Sequence, residues 1–165
     1  MADEYGRTPL WLACQKGRVD AARSLLAEGA EVDRAGEDGR TPLFVACMNG
    51  HIDAARLLLD NGAEVDRAKK SGVTPLWIAC WNGHVDVARL LLENGAEVDR
   101  ADEDGWTPLL IACLKGHVDA ARLLLDNDAE VDRTDEDGRT PLFIACEEGE
   151  VEAARLLLEK GAEVN

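Results

Sequence analysis

Pro9, Pro42, Pro75, Pro108 and Pro141 recur every 33 residues, and Cys14, Cys47, Cys80, Cys113 and Cys146 keep the same interval. A strict period of this length argues against reading the 165 residues as one globular core, because self-similarity at roughly 20 to 50 residues marks a stack of small units. Around every proline runs one pattern: Gly-x-Thr-Pro-Leu, Ala-Cys-x-x-Gly, Ala-Arg-x-Leu-Leu and Ala-Glu-Val, with no insertion. Five units, at about residues 2–34, 35–67, 68–100, 101–133 and 134–165, fill a single domain, 1–165.

The chemistry inside a unit predicts two short helices. In Thr41-Pro42-Leu43 the threonine hydroxyl can cap a helix start, and proline takes the first helical position, where its missing N–H is no loss. Gly50 ends that helix in the left-handed conformation that glycine adopts freely. A second helix runs through Asp53-Ala54-Ala55-Arg56-Leu57-Leu58-Leu59, with Asp53 complementing the helix dipole, and Gly62 closes it. A turn of the Asp38-Gly39 kind joins one unit to the next. Helices shorter than roughly 12 to 15 residues are marginal alone, so stacking must supply the stability. Small Ala46 and Ala55 permit close approach, and Leu43, Leu58, Leu59 and Val65 offer apolar surface to neighbouring units.

A unit reading Asp-Gly-Arg-Thr-Pro-Leu-Phe-x-Ala-Cys-x-x-Gly-His resembles the ankyrin repeat, whose signature is Thr-Pro-Leu-His-x-Ala, and the likeness spans all five units. The resemblance implies an all-α ankyrin-repeat solenoid of five stacked helix-turn-helix units joined by hairpin-like loops. It further implies a curved array whose hairpin tips and first helices form a concave groove for a partner protein, with no cofactor and no enzymatic chemistry. The close likeness among units also resembles engineered, consensus-like ankyrin scaffolds with no natural partner. A fragment of a longer natural array is a third reading.

Departures from the family pattern carry their own expectations. The histidine after Thr-Pro-Leu is replaced by Trp11, Phe44, Trp77, Leu110 and Phe143, so apolar packing is expected to take over its role. Asp128 stands where the other units have a helix-ending glycine, at a local penalty. Ser24 in the first unit, and Glu147, Glu148, Glu150 and Glu152 in the last, are expected to act as polar end caps.

A formal net charge of -15 repels nucleic acid phosphates, anionic lipid surfaces and other copies of the chain, so the expected state is a monomer with no nucleic acid or membrane partner. Met1 to Tyr5 shows no basic stretch leading an apolar one, and five cysteines fit a reducing, cytoplasmic compartment. Equivalent cysteines on neighbouring units, about 10 Å apart, lie beyond the roughly 7 Å that a disulfide spans between α-carbons. Five free thiols follow. The pairs Cys47 and His51, Cys80 and His84, and Cys113 and His117 give two potential metal ligands per unit where zinc needs four, so those histidines are read as structural. Acidic triplets Asp102-Glu103-Asp104 and Asp135-Glu136-Asp137 are read as solvated turns, and no nucleophile elbow or phosphate-cradling loop is present.

The aromatic residues point elsewhere. Tyr5, Trp11, Phe44, Trp77, Trp81, Trp106 and Phe143 all lie in the hairpin and first-helix half of the unit. Two positions vary widely: Arg7, Arg40, Val73, Trp106, Arg139 before the threonine, and Gln15, Met48, Trp81, Leu114, Glu147 after the cysteine. The second series is apolar in the middle and polar at both ends, as interfaces are built. The candidate protein-binding set is therefore Tyr5, Arg7, Arg40, Met48, Asn49, Val73, Trp77, Trp81, Asn82, Trp106, Leu114, Lys115 and Arg139, with exposure expected at its core of Met48, Val73, Trp81, Trp106 and Leu114. Trp77 also belongs to a uniformly apolar column that favours packing.

Overall fold

A computed structural model describes residues 1–164. Ten α-helices among those residues form five pairs: α1 (Pro9–Gln15) with α2 (Val19–Ala27), α3 (Pro42–Met48) with α4 (Ile52–Asp60), α5 (Pro75–Trp81) with α6 (Val85–Glu93), α7 (Pro108–Leu114) with α8 (Val118–Asp126), and α9 (Pro141–Glu147) with α10 (Val151–Glu159). No strand occurs among the described residues. The expected all-α solenoid of stacked pairs is the architecture formed.

Each first helix is seven residues long and begins where its cap dictates. The hydroxyl oxygens of Thr8, Thr41, Thr74, Thr107 and Thr140 each accept the backbone N–H three residues on, at 3.1–3.2 Å. Thr41, Thr74 and Thr107 are buried, so the same bond satisfies a hydroxyl that water cannot reach. The nine-residue second helices have no side-chain cap and instead place Asp20, Asp53, Asp86, Asp119 or Glu152 in the first turn, against the dipole.

The first helices form one row and the second helices another, and neighbours in the first row pack more closely. The small residues make this possible: Ala46, Ala55, Ala88 and Ala121 are fully buried between helices, beside Leu43, Leu58, Leu91 and Leu124. Leu59 and Val65 are half-buried.

Two polar ladders run along the stack. His51, His84 and His117 each donate from Nε2 to a carbonyl of the preceding unit, on Gln15, Met48 and Trp81, at 3.1–3.2 Å. Their rings lie against Gly17, Gly50 and Gly83, where a β-carbon would come within about 3 Å of the imidazole, so these glycines serve the close approach as well as the turn. The structural reading of the histidines is correct. At the far end of each unit, the carboxylates of Asp33, Asp66, Asp99 and Asp132 accept the N–H of Glu64, Glu97, Glu130 and Glu163 in the next unit at 3.0–3.1 Å. Burial raises the pKa of Asp66 and Asp99 despite those bonds.

The end caps depart from expectation. Glu150 points back against Gly116 in the fourth unit rather than outward, and its carboxylate cannot donate to the Leu114 carbonyl as the histidines do in the equivalent place. Phe143, Cys146, Val151 and Leu158 remain exposed on the outer face of the last pair. Acidic side chains at neighbouring positions do not cover that face, because it is made by the same apolar columns that stack inside the array. Ser24 is exposed, as a cap should be, and its hydroxyl donates to the Asp20 carbonyl.

All five cysteines are free thiols. Cys14, Cys47, Cys80 and Cys113 are fully buried, and burial pushes the thiols of Cys14, Cys80 and Cys113 up to about 12, with Cys47 also raised. Cys146 is exposed. A thiol-reactive chromophore at pH 8 should therefore modify one cysteine in the native protein and five after denaturation without reductant; three or fewer in denaturant would contradict the packing.

Asp128 adopts φ 65°, the left-handed region that the equivalent Gly29, Gly62, Gly95 and Gly161 occupy. Nothing lies within 4 Å of a β-carbon built at those four glycines, so the penalty at Asp128 is one of backbone conformation alone. Asp128→Gly is expected to stabilise the protein by about 1 kcal/mol, read as a higher urea midpoint at unchanged slope.

Candidate protein-binding face

The hairpins and first helices together carry all seven aromatic residues, of which Trp11, Phe44 and Trp77 are buried. The proline-capped starts set every first helix in the same register, so each column of the repeat runs straight across the stack. Met48, Trp81 and Leu114 are half-buried side by side in one column, between half-buried Gln15 and exposed Glu147. Trp81 stacks on Trp77 one helical turn away, with ring centroids 5.3 Å apart and planes 12° from parallel. The Lys115 ammonium sits 4.0 Å from the centroid of the Trp81 ring.

Other cations cover rings in the same way. Arg7 lies 4.8 Å from the Tyr5 ring and 5.5 Å from Trp11, Arg40 lies 5.9 Å from Phe44, and Arg139 lies 5.2 Å from Trp106. The arginines are held flat by carboxylates: Arg7 by Asp3 at 2.8 Å, Arg40 by Asp38 at 3.1 Å and Arg139 by Asp135 at 2.8 Å. Five of the seven aromatic rings thus have a cation against them, although the whole chain is strongly acidic.

One candidate residue lies deeper than expected, and another is buried as its uniformly apolar column favours. Val73 is 6% exposed, as the shortest side chain of its column, and Trp77 is 8% exposed. The indole N–H of Trp77 donates to the Trp106 carbonyl, and that of Trp11 to the Arg40 carbonyl, both at 2.9 Å. In these two units an indole therefore supplies a polar tie to the next hairpin, which corrects the expectation that packing alone replaces the missing histidine. Phe44 and Leu110 are buried without such a bond, and Phe143 is exposed on the outer side of the last described pair. Trp106 is half-buried, whereas Asn49, Asn82 and Lys115 are exposed. The Asn49 amide donates to the Val45 carbonyl, and the Asn82 amide donates to the Met48 and Ile78 carbonyls, so both cap their own helices and Asn82 also bridges two units.

The acidic triplets are not uniformly solvated turns. Asp3, Asp102 and Asp135 open their hairpins by accepting two backbone N–H groups each, on residues two and four further on. Asp135 is buried; burial raises its pKa, but the bonds from Arg139 outweigh that and hold it below the usual carboxylate range. The second and third hairpins lack this clamp, with Gly36 and Lys69 at the same position. Lys69 and Lys70 make the third hairpin basic between acidic neighbours, a charge reversal legible in the sequence in a column outside the two most variable ones.

Comparison with known families places the pattern. The family described as "Ankyrin repeats (3 copies)" matches residues 29–102 and 99–165, and the one described as "Ankyrin repeat" matches residues 5–37. This chain belongs to the ankyrin-repeat family. A search of curated proteins returns no match. Ankyrin repeats are in general protein-interaction modules, and the family is in general non-enzymatic. Among the described residues no helix is long and apolar enough to cross a membrane, and no cluster of three or more His, Cys, Asp or Glu side chains could hold a metal ion.

The indole bond of Trp77 separates a structural from a binding role on this face. Trp77→Phe should lower stability by about 1 kcal/mol or more, because the Trp106 carbonyl loses its donor and the pocket its bulk. Trp81→Phe, whose indole N–H makes no such bond, should cost less than half as much in the same chemical denaturation.

Proposed function

We propose that this ankyrin-repeat protein binds a partner protein through the concave side of the stack, formed by the hairpin tips and first helices, and that it carries out no catalysis. The closer packing of the first-helix row supports curvature toward that side. The observation that carries the reading is the column Gln15, Met48, Trp81, Leu114, Glu147: apolar and accessible at the centre, polar at both ends. Trp81 and Trp106 are half-buried rings already held by their neighbours, so a partner gains the burial of what remains accessible with little ordering cost. The third hairpin and its helix α5 contain Lys69 and Lys70 and no acidic residue, which suits a partner that sets a carboxylate next to an apolar side chain. Five free thiols fit a reducing, intracellular setting.

A second reading, a consensus-like scaffold without a natural partner, draws support from five units of equal length with few substitutions outside the variable columns. It uses the same face, since variation concentrates there in either case.

The test is the affinity of the intact chain and of Trp81→Ala and Trp106→Ala for a protein it captures, with helix content checked by circular dichroism. Each replacement is expected to cost about 2 kcal/mol, a loss of about 30-fold in affinity. Changes within about 0.5 kcal/mol, together with abolition by neutralising the acidic hairpins, would remove this face as the binding surface.

A further inference from the structure

The two ends of the stack are built differently from one another, yet each presents part of an inner junction. At the last pair, Phe143 is 52%, Val151 62% and Leu158 48% exposed, and Cys146 is exposed where the four equivalent cysteines are fully buried. The equivalents of Phe143 in the other units are all buried. A hollow of about 400 Å³ opens there between Cys146, Val151, Ala154 and Leu158. At the first pair, Pro9 and Ala21 are exposed and Leu25 is half-buried, although their counterparts in every later unit are buried. A hollow of about 440 Å³ lies over Pro9, Leu10, Leu25 and Ala30.

We propose that these surfaces bind each other between two copies of these 165 residues, head to tail, continuing the 33-residue stack from one copy into the next. Each of the four inner junctions joins the surface type of the last pair to the surface type of the first, so the required shapes already meet inside every copy. Charge selects this pairing over one between two last pairs. The fifth unit carries nine acidic against three basic residues, whereas the first carries six acidic against five basic. Two last pairs would bring the most negative surfaces together; head to tail joins the most negative to a nearly balanced one. The first unit also has Arg18 at the histidine position. In the inner junctions that side chain reaches the carbonyl of the residue after the preceding cysteine. Across the boundary that residue is Glu147, with Glu148 beside it, so a cation meets an acidic pair.

Ser24, in place of leucine, removes one apolar contact from the same junction. The association is therefore weak and reversible, and the monomer expected from net charge is the state in dilute solution. A head-to-tail contact between unlike surfaces does not close, so growth with concentration passes beyond the dimer.

Two exposed positions give clean blocks. Leu158→Glu spoils the last surface and Ala21→Glu the first, each without disturbing a buried group. Sedimentation equilibrium up to about 0.5 mM, above the range expected for an interface as small as one repeat junction, should show the intact chain growing past the dimer. Each variant alone should stay monomeric. Their equimolar mixture should form dimers and nothing larger, since one copy supplies an intact last surface and the other an intact first surface. A monomeric intact chain at the highest concentration would overturn the proposal. So would dimerisation of Ala21→Glu alone, which would mean pairing of two last surfaces, or a mixture that stays monomeric while circular dichroism shows both variants folded.

Discussion

Stability in this protein resides in the junction between units. A seven-residue helix and a nine-residue helix cannot hold themselves in water, and one pair alone would leave its cysteine and leucine columns facing solvent. Every unit is therefore folded by its neighbours. The apolar term comes from columns of alanine, cysteine and leucine that are fully buried wherever a unit lies on both sides. The polar ladders fix the distance and register of those columns: histidine to carbonyl at one edge, aspartate to N–H at the other, and an indole to carbonyl in two units at the hairpins. Apolar contact alone would tolerate sliding, whereas bonds of this length to backbone atoms do not.

Much of this was legible in the sequence because the governing chemistry is local and repeated five times. Threonine before proline specifies a capped helix start whatever surrounds it, and all five caps lie where that rule puts them. The same holds for Asp128, whose left-handed backbone follows from the glycine it replaces. What could not be read depends on which residue faces which across a junction. The indole bonds of Trp11 and Trp77 join residues 29 apart, and the aspartate ladder joins residues 31 apart. Nothing in the composition of either partner announces these bonds.

The candidate face was legible in outline and misread in depth. Variable columns on the hairpin side did mark side chains that reach the surface, as Met48, Trp81, Trp106 and Leu114 do in part. Variability alone does not distinguish a side chain that projects from one that is merely unconstrained in chemistry. Val73 shows the difference, since a short side chain in a column of arginines and tryptophan sinks below its neighbours. Asn82 shows another: an exposed residue that looks free to meet a partner already spends its amide on two carbonyls. Replacing it would disturb the junction before it disturbed any interface.

Charge is distributed along the stack for reasons that stacking does not require. Four of the five units are net negative, and the third balances four acidic with four basic residues. The third differs in net charge from the second and fourth through its hairpin, which carries Lys69 and Lys70 at positions that are aspartate and glutamate in the first, fourth and fifth units. Aspartate at the first of these positions accepts two backbone N–H groups and stiffens the turn, so lysine there forgoes a bond that the fold would otherwise use. Lysine there instead stands close enough to Asp102 of the next hairpin to favour its charged form, against the burial that raises the Asp102 pKa overall. The third hairpin thus gives up a turn clamp and gains charge complementarity with its acidic neighbour, and its positive charge offsets part of the repulsion between units along the stack.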